Sequence, residues 1–260
     1  MLQAGDSVTK PSSFAGRLKG YPGGFALQQT PHTSKVFDED LDNLRTLILE
    51  MGGLVEYQIR YAMEALRSDG PQHVSRVMAE EVRVNEMERR IDSLLTQVLA
   101  RRFPAAIDLR MVMAASKTVT DLERIGDEAK KIALTAQRLA ARERLRHGFA
   151  EIGVIAGIVI DMLKRALDAF ARVDDADAVA IQKDDARVDE HFHAILRQLL
   201  TYMIEDPRTI SPAIEMVFVA KSLERIGDHA KNISEYVVYV TRGYDVRHVT
   251  VAEMERAVRS

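Results

Sequence analysis

Twelve residues of this chain occur twice. Asp121 to Ile132 reads DLERIGDEAKKI and Ser222 to Ile233 reads SLERIGDHAKNI, with nine of twelve positions identical across a spacing of 101 residues. A repeat on this scale constrains the fold more than any single motif, because whatever unit holds the first copy must be built a second time. Leu122, Ile125, Ala129 and Ile132 recur at three- and four-residue spacing, so the repeated segment is one stripe of an amphipathic helix.

The same periodicity fills the rest of the chain. Leu41, Leu44, Leu47, Ile48, Met51, Leu54, Val55, Ile59, Met63 and Leu66 mark a first helix, which Ser68-Asp69-Gly70-Pro71 breaks. Val74, Val77, Met78, Val84, Met87, Ile91, Leu94, Val98 and Leu99 mark a second, ended by Phe103-Pro104. A third runs from about Ile107 to Arg146, with Gly148 as its stop. From there the plan restarts. Ala62-Met63-Glu64-Ala65-Leu66 aligns with Ala166-Leu167-Asp168-Ala169-Phe170 at an offset of 104, and Val84-Asn85-Glu86 aligns with Val188-Asp189-Glu190 at the same offset. The LERIGD helices align at 101, so about three residues are lost between the second and third helix of the repeat.

Strand signals are scarce, and helices of 30 residues extend about 45 Å, so short turns between them force neighbours to run antiparallel. The expected fold is therefore all-α: two tandem, internally duplicated three-helix bundles of long antiparallel helices. The first bundle is placed at 36–147 and the second at 148–243. A flexible tail is expected over 1–35, rich in Gly, Pro and Ser, and a tail or short helix over 244–260.

Composition narrows the function. Hydrophobic residues at 47% and charged residues at 29% suit a globular protein, and the absence of Cys removes disulfides, thiolate metal sites and thiol nucleophiles together, which fits a cytoplasmic location. The longest apolar run, Ile152 to Ile160, is about half of the roughly 20 residues that span a bilayer. Part of that run, Gly153 to Ile160, is apolar nearly all round its helix, which points to a central core helix, with a second subunit as the other possible neighbour. A formal net charge of -3 offers no general attraction for nucleic acid.

The acids carry the chemistry. Glu81 and Glu88 lie on one stripe of the second helix with Asn85, beside apolar residues, and Asp185 and Asp189 take the places of Glu81 and Asn85 in the second unit. Glu123 with Asp127, and Glu224 with Asp228, are each four apart and so lie on one helix face about 5–6 Å apart at Cβ. Gly126 and Gly227, inside those helices, imply close approach of something to the backbone. Two such acidic pairs brought together away from water repel unless a cation neutralises them. Oxygen ligands without Cys favour Mg, Mn, Ca or Fe over structural Zn. The same acids can instead form a solvated face, or pair with Arg and Lys: Arg124 with Glu128, Asp127 with Lys130, Asp228 with Lys231.

Glu190-x-x-His193 is a step found in di-iron carboxylate bundles, but the matching place in the first unit, Glu86 to Arg89, has no His, and His191 and His193 are read as surface residues. Phosphate-binding loops, nucleophile elbows and zinc-protease motifs are absent. An adaptor presenting helix faces therefore stands ahead of an enzyme, with a carboxylate-bridged di-metal oxidase or hydrolase as the alternative.

The two LERIGD helices, each preceded by a helix with an acidic-x-x-x-Asn/Asp step, resemble the PhoU family of phosphate-transport accessory proteins, as do MGGLVE (51–56), ALDAFAR (166–172) and RQLLTYMIEDPRTI (197–210). The resemblance covers about residues 32–248. It implies a cytoplasmic, non-enzymatic negative regulator of phosphate-starvation signalling and phosphate uptake, linking the phosphate ABC transporter ATPase to a phosphate-sensing histidine kinase. It also implies a homodimer, peripheral association with that membrane complex only, and Fe, Zn, Mg or Mn bound through the repeated acidic step. On this chain the step falls on Glu81 with Asn85, Glu123 with Asp127, Asp185 with Asp189, and Glu224 with Asp228, with Glu88 beside the first. Asn85 departs from the family pattern and brings no charge.

Overall fold

The computed structural model describes residues 35–68, 70–102, 107–140, 149–247 and 249–259. Seven α-helices and no strand occur among them: α1 Lys35–Arg67, α2 Pro71–Arg102, α3 Ile107–Ala140, α4 Phe149–Arg172, α5 Ala178–Glu205, α6 Ile210–Arg242 and α7 Val251–Arg259. The expected N-terminal tail, the Phe103-Pro104 stop and the end of the third helix with Gly148 lie outside the described residues.

Several helix ends have a chemical reason. Pro71 opens α2 at the first-turn position where a missing N–H costs nothing. Asp206 closes α5 and accepts from the Arg208 N–H, and Pro207 then starts a single 3-10 turn before α6. Gly243 ends α6 in the left-handed region, at φ 78°, donating to Tyr239 O at 3.0 Å. Thr250 and Glu253 form a reciprocal capping box at the start of α7, with Thr250 N–H donating to Glu253 Oε2 at 2.9 Å and Glu253 N–H to Thr250 Oγ1 at 3.3 Å.

α1, α2 and α3 pack on one another, as do α4, α5 and α6, so the duplicated plan takes the form of two three-helix groups. The two bundles lie side by side through an extensive α3–α6 contact and a smaller one between α1 and α4, and buried residues of all six helices form one continuous core. Leu122, Ile125, Ala129 and Ile132 are fully buried, as are their partners Leu223, Ile226, Ala230 and Ile233. α3 and α6 run antiparallel: Lys117 meets Tyr236, Asp121 meets His229, Glu128 meets Arg225 and Arg138 meets Glu215. α7 folds back on α5, joining Met254 and Ala257 to Ala178, Val238 and Val246.

The expectation for α4 holds only in part. Ile152, Ile155, Ala156 and Val159 are buried, but Gly153, Val154 and Gly157 face outward because α1, α5 and α6 cover only part of the helix circumference. Among the described residues, no helix is long and apolar enough to cross a membrane.

Candidate functional site

The acids lie along the seams inside each bundle, and each seam carries its own cation. In the first bundle Glu81, only 6% exposed on α2, receives a hydrogen bond from Gln58 Nε2 of α1 at 3.0 Å. Its other oxygen lies 3.2 Å from Lys130 Nζ of α3, and the same ammonium stands 3.5 Å from Asp127. Lys130 is held above its usual range, chiefly by the hydrogen bond to Glu81. In the second bundle Lys231 repeats the arrangement, 2.5 Å from Asp185 of α5 and 3.4 Å from Asp228 of α6. Both lysines occupy the tenth position of the repeated motif. The i,i+3 pairs Asp127–Lys130 and Asp228–Lys231 were legible from spacing. The cross-helix reach to Glu81 and Asp185 was not, and its only signal was the identity of the lysine in both copies.

Gly126 follows from this seam. A Cβ there would fall 2.8 Å from Gln58 Oε1, so the glycine lets the fully buried amide lie against α3 and hold Glu81. At Gly227 a Cβ would meet Val159 at 3.4 Å and Val188 at 3.6 Å, both ordinary contacts, so no comparably tight approach occurs there.

The two seams differ in charge. Burial, then Asp127, Glu88 and Glu81, push Glu123 up; burial, then Asp92 and Asp127, push Glu88 up, with Arg89 opposing. Glu81, Glu88, Glu123 and Asp127 therefore share one electrostatic neighbourhood, with half-buried Asn85 on the same helix as the first two. In the second bundle burial pushes Asp185 up even against Lys231, and Asp228 and Asp189 add to the effect. Asp189 is exposed, and Glu224 is held by Lys221 at 2.7 and 2.6 Å from its two oxygens.

The chemistry of the first seam suits a hard cation. Lys130 meets only Glu81 and Asp127, while Glu88 and Glu123, pushed up chiefly by burial and further by neighbouring carboxylates, are oxygen donors that a further positive charge would favour in their ionised form. No three His, Asp or Glu side chains converge on a point among the described residues, so uptake of an ion there requires the side chains to turn and Lys130 to yield. Glu190 and His193 are both exposed, and His193 rests beside Phe192.

The three positions at which the motif copies differ meet across α3 and α6. Asp121 and His229 are buried and joined at 2.7 Å, with Asn232 Nδ2 at 3.4 Å from the same oxygen. Tyr236 packs here under the Lys117 ammonium, 5.4 Å from the ring, and its phenol is pushed up by burial and then by Asp121. The corresponding positions at the other end of the seam are Ser222, Glu128 and Lys131, where the buried Glu128 carboxylate accepts from Lys131 at 2.9 Å and lies 3.1 Å from Arg225.

A doubled three-helix unit whose acidic inner faces are bridged by a repeated lysine defines an all-α protein of duplicated bundles with charged internal seams. The match to known proteins makes the class particular. The family model described as the PhoU domain matches residues 48–136 and again 152–237. The phosphate-specific transport system accessory protein PhoU homolog of Pseudomonas aeruginosa is 44% identical over 231 residues, covering 89% of this chain and 96% of that protein. The accessory protein PhoU of Escherichia coli K12 is 40% identical over 231 residues, covering 89% and 95%. The crystal structure of PhoU from P. aeruginosa superposes with a TM-score of 0.78 at 44% identity, covering 80% of this chain and 100% of that one. That of the phosphate transport system regulatory protein PhoU from Streptococcus pneumoniae superposes at 0.74 with 26% identity, covering 81% and 99%. The chain belongs to the PhoU family.

Proposed function

We propose that the protein is a regulatory accessory subunit of phosphate-specific transport, acting at the cytoplasmic side and restraining phosphate-starvation signalling and uptake when phosphate is ample. The observation that carries this reading is that the PhoU domain matches both halves of the chain, while relatives named as phosphate-transport accessory proteins align over nearly their full length. In this reading the helix faces contact the transporter ATPase and a sensor histidine kinase, and the protein works as a homodimer without catalysis of its own. Deleting the gene from a strain with a single copy leaves phosphate-starvation genes switched on in phosphate-rich medium. Unchanged repression in that strain refutes the role.

The first acidic seam is proposed to take up a hard metal ion, with Glu81, Glu88, Glu123 and Asp127 as the donors and Lys130 as its competitor. Lys130→Met removes the competing ammonium and leaves the carboxylates, so affinity for Mn²⁺ measured by calorimetry rises roughly tenfold, a change of about 1.4 kcal/mol. Equal or weaker binding by the variant, with its helicity intact, contradicts that assignment.

A further inference from the structure

At the end of the α3–α6 seam that holds Glu128, the two bundles leave a pocket of about 290 Å³ between them. Its existence follows from a departure from the repeat. At the spacing of 101 residues Tyr236 corresponds to Thr135, and Lys117 corresponds to Phe218. One end of the seam thus carries a tyrosine ring under a lysine, where the other has a threonine and an open space, with Phe218 60% exposed at its edge.

The walls of this space present positive charge. Lys131, Arg138, Lys221 and Arg225 are about half exposed, whereas their partners Glu128, Glu215 and Glu224 are largely covered. About half of each cation is open to solvent beside the pocket. Lys131 and Arg225 share the covered Glu128 carboxylate, and the Lys221 ammonium rests on Glu224 and 5.5 Å from the Phe192 ring of α5, so a bound phosphate must draw them from these partners. Arg225 meets Glu128 through one terminal nitrogen, and a guanidinium carries five N–H donors in a planar fork suited to oxyanions. Thr135 and Ser222 add buried hydroxyls to the wall. Cations on two facing helices, with an exposed aromatic ring beside them, have the chemistry for a phosphate group carrying a planar ring.

We propose that this pocket is a binding site for a small phosphorylated ligand of the nucleotide class, its phosphate between Lys131, Lys221 and Arg225 and its ring on Phe218. The site is separate from the acidic seams and does not depend on the regulatory reading above. Equilibrium dialysis of the full chain against AMP, inorganic phosphate and adenosine tests it. AMP binds saturably, phosphate at least tenfold more weakly, and adenosine not measurably. Lys221→Gln with Arg225→Gln weakens AMP at least tenfold, and Phe218→Ala brings AMP down to the level of phosphate. Thr135→Tyr places at this end the side chain that the repeat already accommodates at the other, so it abolishes binding while circular dichroism and the melting curve stay those of the parent. Absence of saturable AMP binding, or AMP binding that survives Thr135→Tyr unchanged, overturns the assignment. Phosphate binding as tight as AMP overturns the nucleotide class.

Discussion

Glu235→Gln stabilises the fold by on the order of 2 kcal/mol at pH 8 and by almost nothing at pH 4. Glu235 sits on α6 one turn beyond Lys231, is 5% exposed, and is pushed from an ordinary 4.5 up to about 7, chiefly by burial, with Asp185 and Asp245 adding to it. The folded state therefore keeps this proton at a pH where the unfolded chain has released it. Its contribution is fully present below about pH 4.5, shrinks as pH rises, and is gone above about 7. Glutamine keeps the shape and removes the titration. Urea unfolding of both proteins at several pH values reads the difference directly, and a gap that does not vary with pH refutes the explanation.

Lys231→Met costs about 3 kcal/mol at neutral pH, because two carboxylates on facing helices lose their shared cation while Asp185 remains mostly withdrawn from water. The pH dependence again gives the sign. Burial already holds the Asp185 carboxyl above its ordinary range, and loss of the ammonium pushes it further, so the folded variant takes up a proton before the unfolded chain does. The deficit therefore narrows as pH falls toward 4. Lys231→Met combined with Asp185→Leu recovers most of the loss, since an apolar pair replaces an orphaned charge. A deficit of equal size at pH 4 and pH 8, or no recovery in the double variant, sinks this account. Because Lys231 also holds Glu235 down, the two substitutions are expected to couple rather than add.

The long helices were legible because their signal is local. A stripe such as Leu122, Ile125, Ala129 and Ile132 repeats at the helix period whatever it packs against, and all four are buried. The same reasoning overreached at Gly153 to Ile160, since an apolar segment records what could be covered and not how much of it a neighbour reaches. At the acids, spacing revealed that Glu123 and Asp127 share a face but could not set the rotation of α2 against α3. That rotation brings Glu81 to Lys130.

By itself, then, the sequence determined that one helical unit is built twice, where its helices run, and which positions differ between the copies. Only the tertiary structure decided what those differences do. Positions 121 and 222, 128 and 229, and 131 and 232 read as scatter in an alignment, yet antiparallel packing of α3 on α6 gathers them on one seam, with the Asp121–His229 pair at one end and an open cationic pocket at the other. The physical reason is that periodicity is a property of each helix alone, whereas contacts between helices depend on the relative rotation and axial shift that the shared core imposes.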